Sequence, residues 1–146
     1  MLEIETLHHV SLPVSDLDRS RAFYTEVLGL QETARPNFPF KGAWYRVGDR
    51  TLHLIVAEKG EPATFREDKA IDSRDTHFAI RVRSYRRAVE HLQSKGYRVS
   101  DERNPRPVPG APPPMRLNPS GPAGFPQIHI LDPDRNVIEI NAETVD

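Results

Sequence analysis

The chain repeats itself, and that repeat constrains the fold more than any other feature. An alternating segment, Leu7–Val14, leads into a helix-patterned run closed by Gly29, and the same order recurs from Thr76–Arg83 to Gly96. His9 stands five residues before Val14, and His77 five before Val82; the two glycines follow these histidines by 20 and 19 residues. Two copies of a unit of roughly 60 residues are a duplication, not a long solenoid. Neither copy can bury a sheet alone, so the two should pair into one curved sheet with the helices outside.

Within each copy the apolar period changes from two to 3.6 and back again. Val10, Leu12 and Val14 share one strand face, and His9, Ser11 and Pro13 share the other. Ser15 or Asp16 caps a helix carrying Phe23, Tyr24, Val27 and Leu28. Strands are expected at about Gln31–Arg35, Gly42–Val47 and Thr51–Ala57, the last two joined by a hairpin turn at Gly48-Asp49-Arg50. After a polar segment, Glu58–Arg74, comes Thr76–Arg83 with Phe78, Ile80 and Val82 on its apolar face. Ser84 then caps a helix with Tyr85, Ala88, Val89 and Leu92 at core spacing. Tyr97–Asp101, Gln127–Leu131 and Val137–Asn141 complete the second copy, the last two joined by the turn Asp132–Asn136. The expected class is α+β: a single domain of two βαβββ modules, about residues 6–58 and 75–142, paired as a curved mixed-sheet cup.

Composition excludes several functions. Lys and Arg number 20 against 21 Asp and Glu, a net charge of −1, which leaves no basic footprint for nucleic acid or an anionic membrane. With no cysteine, disulfides, thiolate ligands and a cysteine nucleophile are excluded together. No apolar stretch approaches the roughly 20 residues that span a bilayer, so a cytoplasmic protein is expected. Of 14 prolines, nine lie between Asn104 and Gln127. A Pro-rich loop over about residues 104–126 is too long for an ordinary hairpin connection, and is read as a lid over the cup or as disordered chain.

Strand parity then brings four metal-competent side chains to one side. His9 opposes Val10, Leu12 and Val14; His53 opposes Leu52, Leu54 and Val56; His77 opposes Phe78, Ile80 and Val82; Glu139 opposes Ile138 and Ile140. Their positions correspond between the copies, early in the first strands and in the last ones. Three imidazoles and a carboxylate suit one divalent metal ion: Fe, Ni, Co, Mn or Zn. Such a site keeps a formal charge of about +1 and favours an anionic or ionisable small-molecule substrate. His129, out of phase with Ile128 and Ile130, should point the same way; it is a candidate acid/base or a rim histidine. Ser11 and Arg81 share the phase of His9 and His77 and are candidates for holding substrate oxygens.

Four segments carry a resemblance to the vicinal oxygen chelate superfamily of glyoxalase I, fosfomycin-resistance transferases, extradiol dioxygenases and bleomycin-binding proteins. They are Leu7–Val14, Arg21–Leu30, Thr76–Ile80 and Leu131–Ile140. The resemblance implies paired βαβββ modules, a metal held at His9, His53, His77 and Glu139, and substrates that chelate it through neighbouring oxygens. It also implies a homodimer. The pattern departs from glyoxalase I in having His53 where Glu is usual and Pro13 where Arg is common, and Arg135 stands where a turn glycine is common. The leading expectation is a glyoxalase I-like lyase or isomerase with Glu139 and His129 moving protons. An Fe(II) extradiol-type dioxygenase using His9, His77 and Glu139, and a metal-free protein that sequesters a toxic compound, are the alternatives.

Overall fold

Strand β1 (His9–Val14) begins where the alternation of apolar residues becomes strict, and α1 (Leu17–Ala22) begins where Asp16 accepts a hydrogen bond from the Arg19 amide at 3.0 Å. The computed structural model describes residues 1–57 and 68–146. Most of the polar segment expected between the copies, residues 58–67, lies outside them. The chain forms two compact units, Met1–Thr64 and Phe65–Asp146.

In the first unit, α1 widens after Ala22 into a π-helical turn, Phe23–Val27, with the Leu28 amide on the Phe23 carbonyl at 3.2 Å. A wider turn puts a smaller angle between sequence neighbours. Adjacent Phe23 and Tyr24 can therefore both be buried, where an α-helix would splay them further apart. Gly29 closes the helix at φ +68°. Strands β2 (Gln31–Thr33), β3 (Gly42–Val47) and β4 (Arg50–Val56) follow, in the sheet order β1-β4-β3-β2. The β1–β4 pair is parallel, with Ser11 beside His53; β3 runs antiparallel to both its neighbours. Leu52, Leu54, Ala43 and Tyr45 form the buried face, with the Tyr24 ring 5.8 Å from that of Tyr45.

The second unit holds β5 (His77–Arg81), α2 (Tyr85–Ser94), β6 (Arg98–Val99), β7 (Pro114–Asn118), β8 (Gln127–Leu131) and β9 (Val137–Asn141), in the order β5-β9-β8-β7-β6. Four strands follow α2, not the three expected. The extra one, β7, lies inside the Pro-rich segment. Its Met115 and Leu117 face the core side, and it pairs antiparallel with β8. Pro114 opens the strand, where its missing N–H costs nothing, and the Arg98 amide binds the Pro113 carbonyl at 2.9 Å. The expected strand Tyr97–Asp101 shrinks to β6 and moves to the outer edge. Ile128, Ile130, Ile138, Ile140, Tyr85 and Leu92 are the buried core. A smaller apolar cluster of Ile71, Leu131 and Val137 lies on the opposite sheet face.

The β8–β9 turn depends on Asp132, whose Oδ1 accepts the amides of Asp134 (2.9 Å) and Asn136 (2.8 Å). Arg135 takes the left-handed conformation at φ +64°, which explains why a glycine suits this position. Its guanidinium donates to the Lys69 carbonyl at 3.3 Å. Among the described residues, no helix is long and apolar enough to cross a membrane.

Candidate functional site

Cross-strand partners share a sheet face, so the registers decide which polar side chains meet. In the second unit His129 pairs with Glu139, Glu139 with Ala79, and His77 with Val137, all on the face opposite the isoleucine core. His77 Nε2 lies 3.5 Å and His129 Nε2 3.4 Å from the same oxygen, Glu139 Oε2. His77 Nδ1 is 2.7 Å from the Asp75 carbonyl, which can only accept, so Nδ1 carries the proton. In the neutral ring Nε2 then presents a lone pair to a carboxylate oxygen.

Glu139 is buried, and so is His129, at 1% exposure. Burial pushes the Glu139 carboxyl up, but donors from Asn141 and Gln127, with the two imidazoles, outweigh it, and the net direction is down. Burial lowers the His129 pKa, with the Glu139 carboxylate opposing. Glu139 is therefore an anion beside a neutral imidazole near pH 7. Among the described residues neither His129 ring nitrogen has a hydrogen-bond partner, and at 3.4 Å the approach to Glu139 lacks hydrogen-bond geometry.

The first unit places His9 and His53 on one face. The rings of Trp44, His53 and His9 form a stack, 4.0 Å and 5° between the first two, 4.2 Å and 17° between the others. His53 Nε2 is 3.1 Å from the Thr51 hydroxyl, and His9 Nδ1 is 2.8 Å from His8 Nδ1. Burial lowers the His53 pKa, and the neighbouring His9 and His8 add to this. Ser11 is exposed on that same face, beside His53. Arg81, on the face of His77, stacks its guanidinium 4.9 Å from the Phe125 ring centre. A cavity of about 610 Å³ opens elsewhere in the first unit, lined by Asp16, Arg21, Arg35 and Lys41, none of them an expected site residue.

Among the described residues no three His, Asp or Glu side chains form a ready-made ion cage. The donor chemistry nevertheless fits a divalent cation. His77 has its tautomer fixed from behind by a backbone carbonyl, the usual support for a ligating histidine. Its Nε2 faces the Glu139 oxygen at 3.5 Å, and among the described residues neither buried His129 nitrogen has a hydrogen-bond partner. Sequence reasoning missed Gln127 and the bond from Asn141, which hold Glu139 at 2.8 and 2.6 Å. The signal was present: both lie two residues from a site residue and so share its strand phase.

The profile of the Glyoxalase/Bleomycin resistance protein/Dioxygenase superfamily matches residues 6–140. Among curated proteins, the chain is 31% identical over 96 residues to "Glyoxylase I 4" of Arabidopsis thaliana, covering 65% of this chain and 54% of that protein. It is 32% identical over 105 residues to a lactoylglutathione lyase of the same plant, covering 70% of this chain and 36% of that protein. The match thus spans about half or less of these relatives. Among solved structures, the fosfomycin resistance protein FosX from Listeria monocytogenes is similar, with a TM-score of 0.66 at 17% identity over 97% of this chain and 95% of that one. A mutant of FosX complexed with Mn(II) and 1S,2S-dihydroxypropylphosphonic acid gives a TM-score of 0.64 at 17% identity, over 97% and 94%.

Proposed function

Since this chain belongs to the Glyoxalase/Bleomycin resistance protein/Dioxygenase superfamily, we propose that it is a metal-dependent lyase or isomerase of the glyoxalase I kind, acting on a small molecule with two neighbouring oxygens. One observation carries the reading: His77, with Nδ1 held on the Asp75 carbonyl, turns its Nε2 toward the Glu139 carboxylate 3.5 Å away. The proposed ligands are His9, His53, His77 and Glu139. The ion, when bound, polarises the substrate's vicinal oxygens and acidifies the adjacent C–H. Two relatives named as glyoxalases or lactoylglutathione lyases, and Mn(II) in FosX, support this choice of chemistry.

The chain's own residues move the proton. His129 is neutral and buried, so its Nε2 can take the proton from the carbon next to the carbonyl and return it to the neighbouring carbon. Glu139 stabilises the transient imidazolium from 3.4 Å. Ser11 and Arg81 are proposed to hold substrate oxygens, and the active form to be a homodimer. His53 in place of Glu, and Pro13 in place of Arg, argue for thiol adducts other than those of glutathione, or none.

A second reading has its own support. His53 is packed between two rings with Nε2 beside Thr51, which leaves His9, His77 and Glu139 as the two-histidine, one-carboxylate set of an Fe(II) extradiol-type dioxygenase. Elemental analysis of the purified protein with its His53→Ala and Glu139→Ala variants separates the readings. Near one equivalent of metal, lost in both variants, supports the four-ligand enzyme. Metal retained without His53, with oxygen consumed on catechols, supports the dioxygenase. No metal after reconstitution sinks both and leaves a binding protein.

A further inference from the structure

Building on the metal reading above, we infer that Gln127 and Asn141 are positioning residues that clamp the two oxygens of Glu139 and hold the carboxylate as a fixed ligand. Three adjacent strands supply a rung of carboxamides on the site face. Asn118 of β7 pairs with Gln127 of β8, and Gln127 with Asn141 of β9. This rung runs directly beside the one formed by Arg116, His129 and Glu139. Gln127 Nε2 donates to Glu139 Oε2 at 2.8 Å, and Asn141 Nδ2 donates to Oε1 at 2.6 Å.

The two halves of the clamp are oriented differently. Asn118 Nδ2 donates to Gln127 Oε1 at 3.3 Å, which decides that the NH₂ end of Gln127 faces Glu139. A Cβ on Gly121 would meet the Asn118 amide where it now lies and push that side chain aside, so the glycine leaves the amide its place on the rung. Among the described residues Asn141 Oδ1 is buried without a partner, so it is the bond to Glu139 that orients that amide.

Turning the carboxylate would leave a buried N–H unsatisfied at one end or the other, which disfavours every rotamer but this one. Each oxygen still keeps acceptor capacity. The remaining capacity of Oε2 faces the two imidazole nitrogens, so the clamp selects Oε2 as the ligating atom and opposes a swinging carboxylate. Proton transfer then falls to His129.

The test uses Co(II) on the full chain, with Gln127→Met and Asn141→Leu, which keep bulk and delete the donor. Chelator competition should show Co(II) binding weakened roughly 10–100-fold in each. The visible Co(II) absorption should change shape as the carboxylate is released, a change that loss of stability alone does not produce. Equal affinity and an unchanged spectrum in both variants overturn the clamp. Should either fail to fold, Asn118→Ala, one amide further from Glu139, reads the same rung. It should weaken Co(II) binding by a smaller factor, and unchanged binding overturns the clamp. If the wild type binds Co(II) but the variants match it, only the clamp fails. A wild type that binds no Co(II) overturns the metal reading and the clamp with it.

Discussion

His129 and Glu139 oppose each other across the β8–β9 pair, with the imidazole Nε2 3.4 Å from the carboxylate Oε2. Both side chains are buried, and among the described residues neither imidazole nitrogen has a hydrogen-bond partner. A pair like this costs stability, and such costs concentrate at functional sites. His129→Gln should therefore lower kcat/KM on hemithioacetal substrates by about 10²–10⁴ while leaving the fold intact. Retention within about threefold of wild type, far inside that range, would remove His129 from the chemistry.

Asp146 caps α2 from a distance in sequence, accepting from the Ser84 hydroxyl at 2.5 Å and the Arg86 amide at 3.0 Å. These bonds hold its carboxyl at about 2, below the ordinary 3.8. A depressed carboxylate contributes stability that is complete above its unfolded pKa and is lost as pH falls through the folded one. Thermal unfolding of wild type and Asp146→Asn should differ at pH 5–7, and the two curves should converge as pH drops from 3.8 to about 2. A gap that persists at pH 2 would assign the effect to something other than this carboxylate.

Arg135 holds a left-handed backbone at φ +64°, a conformation that costs a non-glycine residue about 1 kcal/mol. Arg135→Gly removes that strain but also the 3.3 Å bond to the part-buried Lys69 carbonyl, a weaker contribution. The variant should be more stable by about 0.5–1 kcal/mol, and its Tm should rise by roughly 1–4 °C. A lower Tm would show that the Lys69 contact outweighs the strain.

Gly42 begins β3 against β4, and a Cβ there would run into the Leu54 carbonyl oxygen. Backbone cannot yield as a flexible side chain can, so Gly42→Ala should destabilise by about 1–3 kcal/mol. Trp44, two residues on and the one tryptophan in the chain, reports the damage. Its emission should shift as the 4.0 Å stack on His53 loosens. Unchanged urea midpoint and emission would mean the strand absorbs the methyl group elsewhere.

How much of this was legible in advance varies by element. Period-two alternation placed β1, β3, β4, β5, β8 and β9 within a residue or two, because one face of each strand had to be apolar. Parity required one of Trp44 and Tyr45 to face the interior, and the register puts Tyr45 there and Trp44 on the opposite face. The π-helical turn at Phe23–Val27 was not readable, since the spacing of Phe23, Tyr24, Val27 and Leu28 satisfies an α-helix equally well. Strand β7 was hidden by its prolines. Only Met115 and Leu117 alternate there, and it is pairing with β8 that makes this stretch a strand.

The sequence by itself determined the duplication, the family and the side of each strand on which His9, His53, His77, His129 and Glu139 project, because these follow from local periodicity and composition. Tertiary structure alone decided what those side chains touch. The Asp75 carbonyl sets the His77 tautomer, Gln127 and Asn141 grip Glu139, and Trp44 covers His53. Such contacts depend on strand register and on which strands become neighbours. Long-range hydrogen bonding and burial set both, and no short window of residues encodes them.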